Sequence, residues 1–220
     1  MKSKDEQIKR AVVEMLYWDS RVDASDIHVD VNEGEVTLTG TVPSYGIKEA
    51  SLFAAWKVPG VRKVNNNSFV RFPTTAKTLT DSQIEESIRK QLEWNDSTSR
   101  ENIQVVVKKG KVSLEGHVDA YWKIFRALKL ASDVIGVVDI DNKLTVVPTE
   151  NIEDQVIATD IINAIDRSNL LKTEDIDVKV KNGIVTLSGN LPTRSLCESA
   201  LEFAYNTFGV KEVKDRLHVE

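Results

Sequence analysis

The sequence predicts an α+β fold of three tandem αββαβ domains, each a three-stranded sheet with two helices on one face. The first observation is a repeat: residues 27–70, 103–146 and 176–219 align without gaps, offset by 76 and then by 73 residues. The second is the spacing of apolar residues, which within each repeat changes from the helical period to strict alternation and then back to the helical period. The predicted domains are residues 1–73, 74–148 and 149–220.

Each repeat opens with an amphipathic helix, because apolar residues recur at i, i+4 and i+8 on one helical face. These residues are Ile8, Val12 and Leu16, then Ile84, Ile88 and Leu92, then Ile157, Ile161 and Ile165. In the second repeat, Thr80 and Gln83 have the spacing of a capping box. The capping box predicts that this helix begins near Asp81.

Two strands joined by a tight hairpin follow the helix. Ile27, Val29 and Val31 alternate with polar residues, and the other repeats keep this period of two. X-Gly dipeptides between the alternating runs predict the turns, which are Glu33-Gly34, Lys109-Gly110 and Asn182-Gly183. A later glycine predicts the end of the second strand at a bend or close backbone approach: Gly40, Gly116 or Gly189.

A second helix and a last strand complete each repeat. In first-repeat numbering, the apolar positions of this helix are 48, 51, 52, 55 and 59, although the first repeat itself has Lys48 and Ser51 at two of them. The helix is predicted to end at a capping glycine (Gly60, Gly136 or Gly209). In the last strand, one polar residue lies in the inward phase: Asn66, Asn142 or Asp215. We expect its side chain to bond to neighbouring backbone and not to a ligand.

Charge and terminal sequence limit the class of protein. The net charge of −5 arises in residues 149–220, which carry 8 Lys and Arg against 13 Asp and Glu. No repeat is basic overall, so no nucleic-acid partner is expected. The N-terminus lacks the apolar core of a signal peptide, and no apolar run is long enough to span a bilayer. If Met1 is the natural start, the sequence predicts a cytoplasmic protein.

The ordered motifs resemble the BON domain (bacterial OsmY and nodulation) family. The resemblance rests on V-x-V-x-x-G-x-V-x-L-x-G, from Val29 to Gly40, and on G-V-x-x-V-x-N-x-x-x-V, from Gly60 to Val70. The other two repeats match, with Asp215 in place of the asparagine. The resemblance implies binding to phospholipid membranes, a role in envelope or osmotic stress, and no catalytic residues. It also implies a possible potassium site, because one relative binds that ion.

The sequence contains no recognisable catalytic or metal-binding pattern. His28, His117 and His218 have no Cys, His or carboxylate at metal-ligand spacing. The glycines form neither G-x-G-x-x-G nor a P-loop. We therefore predict a protein that is not an enzyme and needs no cofactor.

The second repeat carries the candidate site for lipid contact. Its hairpin turn contains Lys108, Lys109 and Lys111. Tyr121 and Trp122 lie near the start of its predicted second helix. Lysines near an anionic membrane each contribute about 1 kcal/mol, and aromatic rings suit the headgroup region. A solvated turn is the competing interpretation.

At other positions that carry an aromatic residue, the residue type differs between the repeats. Phe53, Trp56 and Tyr45 are candidates for packing between domains or for self-association, with membrane contact as the alternative. Trp18 and Trp94 are expected to pack into the core at the end of the first helix.

The preferred hypothesis is a non-enzymatic, stress-related protein that binds anionic phospholipid, peripheral at the inner membrane. The alternatives are a self-associating structural or adaptor protein and a potassium-binding sensor. Backbone carbonyls could form an ion site without leaving a sequence pattern, so the sequence leaves the sensor hypothesis open.

Overall fold

The computed structural model describes residues 4–19, 26–72, 79–149, 152–168, 171–172 and 175–219. The chain forms two compact units, residues 1–88, 106–112 and 129–141, and residues 89–105, 113–128 and 142–220. The first unit contains the first repeat, and the second unit contains the third repeat. Residues of the second repeat contribute to both units.

The first repeat has the predicted order of elements. They are α1 (Lys4–Trp18), β1 (Ile27–Asn32), β2 (Glu35–Val42), α2 (Tyr45–Trp56), β3 (Lys63–Asn66) and β4 (Phe69–Val70). The central strand β2 is antiparallel to β1 and parallel to both β3 and β4. The predicted last strand is therefore interrupted, and the break coincides with Ser68, whose hydroxyl donates to Asn66 Oδ1 at 2.6 Å. The other repeats have a leucine at this position.

The second and third repeats each form a three-stranded sheet, as predicted. The second repeat comprises α3 (Asp81–Trp94), β5 (Asn102–Lys108), β6 (Lys111–Val118), α4 (Tyr121–Ser132) and β7 (Asp139–Val146). The third comprises α5 (Asp154–Ser168), β8 (Ile176–Lys181), β9 (Ile184–Leu191), α6 (Arg194–Asn206) and β10 (Glu212–Val219). The central strands are β6 and β9, and β9 is antiparallel to β8 and parallel to β10.

The buried stripe of each first helix forms the base of a core. Every residue predicted for these stripes is at most 5% exposed. In the first repeat α1 and α2 contact each other and pack on the same sheet, and α5 and α6 do the same in the third. The predicted layer of two helices over a sheet is confirmed in these two repeats.

Local signals at the turns and at one helix start are confirmed. The residue before the turn glycine has φ of 49° at Glu33, 53° at Lys109 and 55° at Asn182. Positive φ at both central positions is the geometry that X-Gly hairpins require. In the capping box, Gln83 N donates to Thr80 Oγ1 at 3.3 Å, and Thr80 N donates to Gln83 Oε1 at 3.0 Å.

The predicted end of the second helix is wrong. Helix α2 ends at Trp56 with Lys57 as its C-cap, and Gly60 lies beyond it in a separate turn with φ 87°. The expected apolar position at 59 is also wrong, since Ile135 is 62% exposed and Phe208 is 47% exposed. In α2 the buried residues are Ala50, Ser51, Ala54 and Ala55.

The bend glycines lie within the second strand and do not end it, because β2 continues from Gly40 to Val42. The expected close backbone approach is confirmed: a Cβ on Gly40 would lie 1.9 Å from Asp26 O. The polar residues of the last strand bond to backbone as predicted, but the inward phase is wrong for Asn142 and Asp215, which are exposed. Asn66 Nδ2 donates to Lys48 O at 2.7 Å, and the equivalent side chains accept from backbone N–H groups two residues later.

Candidate binding surfaces

A carboxylate at the start of each first helix holds the hairpin turn of the same repeat. Asp81 Oδ2 and Oδ1 accept from Lys109 N at 2.7 Å and from Gly110 N at 2.9 Å. Asp5 and Asp154 make the same pairs of hydrogen bonds at 2.7–3.0 Å. Both carboxylate oxygens are therefore used to fix the turn to the helix, and we call this arrangement the aspartate clamp.

The clamp was missed by sequence analysis, although its residues recur at the repeat spacing. An aspartate in the first turn of a helix already has an ordinary explanation, since negative charge there is favoured by the helix dipole. The regular recurrence of Asp5, Asp81 and Asp154 was the signal that could have identified a second role.

A shallow cleft lies beside each clamp, and the three clefts occupy equivalent places. Their volumes are about 310, 260 and 240 Å³ in the first, second and third repeats. One wall residue differs in charge between the clefts: it is Arg62 in the first repeat, Val138 in the second and Lys211 in the third. None of the residues that line the three clefts is His, Cys or Ser. The titratable side chains that line them are those of Asp, Glu, Lys and Arg.

Replacing Asp81 by asparagine is expected to weaken the fold at neutral pH and less so in acid. Hydrogen bonds from Gly110 N and Lys109 N lower the pKa of Asp81 below its ordinary value. A lowered folded-state pKa stabilises the protein above the unfolded pKa, about 3.9, and this contribution is lost as pH falls through the folded pKa.

The check is a urea unfolding series at several pH values. Asp81→Asn should shift the midpoint downward at pH 7, and the difference from the parent should shrink below about pH 4. Asp160→Asn, at an exposed position on α5, is the matched control. A midpoint difference that stayed constant across this pH range would show that the carboxylate charge is not responsible.

The lysines of the second hairpin turn are exposed. Lys109 presents its side chain while its backbone N–H is held by Asp81, and Lys108 is exposed at the end of β5. Lys111 Nζ lies 3.6 Å from Asp139 Oδ2, and its side chain is 69% exposed. These three side chains form a solvent-facing cationic turn.

Tyr121 is not part of an open surface. Its ring stacks on that of Tyr205 in the third repeat, with centroids 5.2 Å apart and planes at 20°. Trp122 is 37% exposed, and Lys123 Nζ lies 5.9 Å from its ring centroid. The eight-residue strand β6, about 25 Å long when extended, separates the lysine turn from α4. The lysine turn belongs to the first compact unit, whereas Tyr121 and Trp122 belong to the second.

The residues predicted for packing or self-association have three different environments. Phe53 is 53% exposed, whereas Trp56 is partly buried against the first core. Tyr45 is half-buried, and burial raises its pKa, with further contributions from Glu49 and from Asp139 of the second repeat. Tyr45 therefore lies at a contact between repeats.

The expectation that Trp18 and Trp94 pack into the core is wrong. Trp18 is 73% exposed and Trp94 is 82% exposed, at equivalent positions at the ends of α1 and α3. Tyr17 is also 73% exposed and meets Trp18 edge to face, with ring centroids 5.5 Å apart. Helix geometry contained the signal, because a residue two positions after Leu16 is rotated by about 200° from the buried stripe.

The described residues contain no group of three or more His, Cys, Asp or Glu side chains placed to hold a metal ion. None of the described helices is long and apolar enough to cross a membrane.

Three αββαβ repeats with these turn glycines define a tandem array of small α+β domains, and the chain belongs to the BON domain family. The family model matches residues 4–70, 80–148 and 153–220, which confirms the predicted family. The chain is 25% identical to osmotically-inducible protein Y of Escherichia coli (strain K12) over 154 residues, which is 63% of this chain and 72% of that protein.

Solved structures of CdsD, a structural protein of the type III secretion system of Chlamydia trachomatis, show only distant similarity. One match has 14% identity and a TM-score of 0.28, covering 97% of this chain and 92% of that one. A second match, to the CdsD C-terminal domain, has 14% identity and a TM-score of 0.27, with full coverage of both chains. These scores are too low to support any inference about function.

Proposed function

We propose that this protein is a tandem array of domains without enzymatic activity, and that it binds the surface of an anionic phospholipid bilayer under osmotic stress. The observation that carries the proposal is the exposure of Trp18 and Trp94 at equivalent helix ends, 73% and 82% respectively. The family resemblance supports a phospholipid ligand, and the name of the E. coli relative supports the osmotic setting.

Exposed tryptophans at helix ends are suited to a membrane interface. The indole ring is amphipathic and is enriched at the level of the lipid headgroups. In water, the same exposure leaves a large apolar surface hydrated, which is unfavourable. Insertion of Trp94 into the interface removes this surface from water without requiring the fold to change.

The cationic turn of Lys108, Lys109 and Lys111 supplies the preference for anionic lipid. Lysines near such a surface are attracted by its negative potential, and salt screens the attraction within a Debye length. The turn is clamped at the start of α3 and Trp94 ends that helix, whose 14 residues span about 21 Å. Tryptophan insertion and lysine attraction are therefore separable contributions.

Vesicle co-sedimentation tests the proposal with variants that remove the rings and leave the charge unchanged. We expect Trp18→Gln with Trp94→Gln to bind phosphatidylglycerol vesicles about tenfold more weakly, because burial of the rings is lost.

Lys108→Glu with Lys109→Glu should weaken binding to anionic vesicles at low salt and leave any binding to phosphatidylcholine vesicles unchanged. Tryptophan emission should shift to shorter wavelength on binding, since the indoles leave water. Absence of parental binding at low salt, or binding unaffected by both double variants, would refute the proposal. Location at the cytoplasmic face of the inner membrane is part of the proposal, and cell fractionation would check it.

A further inference from the structure

The cleft of the second repeat has a floor that is formed by backbone. A Cβ on Gly110 would lie 2.6 Å from Gly136 O, and a Cβ on Gly136 would lie 2.6 Å from Ile84 Cδ1. Both glycines have positive φ, 73° and 103°, so a side chain at either position would be strained as well as obstructed. The other two repeats have the same close approach between their glycines, at 2.8 and 3.0 Å. All three clefts therefore share one kind of floor, and they differ in their walls.

The walls of the second cleft are the most apolar of the three. Where the first and third repeats place Arg62 and Lys211, the second has Val138, whose two methyl carbons lie 3.3 Å from a Cβ built on Gly110. Among the described residues, one apolar side chain lines the first cleft and five line the second: Phe72, Leu79, Ile84, Ile135 and Val138.

The third cleft is covered more closely at the position equivalent to Leu79. Ile152 Cβ and Cγ1 lie 3.0 and 3.2 Å from a Cβ built on Gly209, whereas Leu79 Cβ lies 3.8 Å from a Cβ built on Gly136. Lys211 adds a charge to the same cleft. The second cleft is therefore the best suited of the three to an apolar ligand.

The apolar lining of the second cleft is incompletely buried by the chain itself. Ile135 is 62% exposed, and Phe72, Leu79 and Val138 are partly exposed. Ile84 is 2% exposed and belongs to the base of the core. A ligand that covered the exposed side chains would remove apolar area from water, which is favourable.

Cationic side chains border this cleft on the side of the hairpin turn. Lys109 lines the cleft, and Lys108 and Lys111 lie beside it in the turn. Asp81 also lines the cleft, but both of its carboxylate oxygens accept hydrogen bonds from the backbone of the turn. Asp139 Oδ2 lies 3.6 Å from Lys111 Nζ. Three lysines against two carboxylates leave this side with an excess of positive charge, which favours an anionic group there.

We infer that the second cleft binds a medium-chain fatty-acid carboxylate, with the alkyl chain against the apolar walls and the carboxylate toward Lys109. The cleft has a volume of about 260 Å³. A methylene group takes roughly the volume of a water molecule, about 30 Å³, so about eight carbon atoms fill the cleft. One leaflet of a bilayer core is about 15 Å thick and needs longer chains. The volume therefore favours a free carboxylate over a phospholipid, and the inference does not require the proposed binding to bilayers.

Nuclear magnetic resonance titration of the full chain with octanoate, below its critical micelle concentration and without vesicles, tests the inference. The chemical shift changes should be saturable and should centre on Gly110, Gly136 and the methyl groups of Ile135 and Val138. From hexanoate to octanoate the affinity should rise by up to about fourfold per methylene group, because each group buries more apolar area. Beyond about eight carbon atoms this gain should fall, since the cleft is then full.

Two neutral substitutions separate the alkyl chain from the carboxylate. Ile135→Gln should weaken octanoate binding about fivefold, because part of the apolar wall is lost. Phe208→Gln is the matched control at the equivalent position of the third repeat, where the phenylalanine is 47% exposed, and it should leave the affinity unchanged. Lys109→Asn should weaken binding of octanoate but not of 1-octanol. Asparagine tolerates the left-handed backbone of this turn, as Asn182 does with φ 55°.

The absence of saturable shift changes up to the critical micelle concentration would overturn the inference. Shift changes centred outside the cleft would also overturn it, and so would equal losses of affinity in Ile135→Gln and Phe208→Gln. Equal binding of octanoate and 1-octanol, unaffected by Lys109→Asn, would exclude recognition of the carboxylate and so remove the inference as stated. A parent protein that binds octanoate at this cleft but does not bind vesicles would support the inference and refute only the proposed binding to bilayers.

Discussion

Replacing Gly116 by alanine is expected to destabilise the second repeat by about 3 kcal/mol or more. Gly116 lies in β6 with φ 125°, a conformation that residues with a Cβ rarely adopt. An added Cβ would also lie 2.0 Å from Asn102 O, a backbone atom that cannot move aside without breaking the adjoining strand. Strain and steric overlap therefore act together.

The control for this change is Gly46→Ala, within helix α2. Its Cβ would lie 3.7 Å from the nearest atom, which is an ordinary contact, and alanine favours helix over glycine. Because tandem repeats can unfold separately, amide hydrogen exchange in β5 and β6 should accompany thermal unfolding as the measurement. Unchanged exchange protection in Gly116→Ala would mean that the bend is not required.

Elements fixed by contacts close in sequence were predicted well. The turn at Lys109-Gly110 follows from the φ that two central residues must adopt, and the start of α3 follows from the side chains of Thr80 and Gln83. Each depends on a few neighbouring residues, so no knowledge of the tertiary structure is needed. The stripe of Ile8, Val12 and Leu16 is predictable for the same reason, since helical period alone selects its face.

The errors lie at the ends of helices. Trp18 was expected in the core, yet it lies opposite the stripe that ends at Leu16 and is 73% exposed. Ile135 and Phe208 were assigned to a helical stripe that does not reach them, because α4 and α6 end at Ser132 and Asn206. Composition indicated the core correctly, but the helix ends decide which residues can reach it.

Contacts between repeats could not be predicted from the sequence. Tyr121 and Tyr205 lie 84 residues apart in the sequence, and this separation gives no indication that they stack. The choice of partner depends on which side of α4 faces α6, and each of these helices has apolar residues on more than one side. The proposed lipid-contact residues were consequently grouped by repeat, whereas the structure places Tyr121 at a contact between repeats.

Replacing Asn66 by alanine is expected to destabilise the first repeat by about 2–3 kcal/mol, because buried polar groups lose their partners. Asn66 Oδ1 accepts from Ser68 Oγ at 2.6 Å and from Ser68 N at 3.2 Å, and Ser68 is 1% exposed. Its Nδ2 donates to Lys48 O at 2.7 Å and to Ser51 Oγ at 3.1 Å, and Ser51 is 0% exposed. One side chain thus satisfies polar groups of α2 and of the last strand together.

The equivalent change Asn142→Ala is the matched control, and we expect it to cost about 1 kcal/mol. Asn142 is exposed, and its Oδ1 accepts from Leu144 N at 3.1 Å, beside a leucine where the first repeat has buried Ser68. Hydrogen exchange and thermal unfolding of the two variants measure the difference.

A further variant separates the polar network from the strand itself. In a background of Ser51→Ala and Ser68→Ala, the cost of Asn66→Ala should fall toward that of Asn142→Ala, because the buried hydroxyls are already absent. An equal cost in both backgrounds would locate the effect in the bonds to Lys48 O and Ser68 N. Those bonds join α2 to the interrupted strand, so the first repeat would then depend on Asn66 to connect helix and sheet.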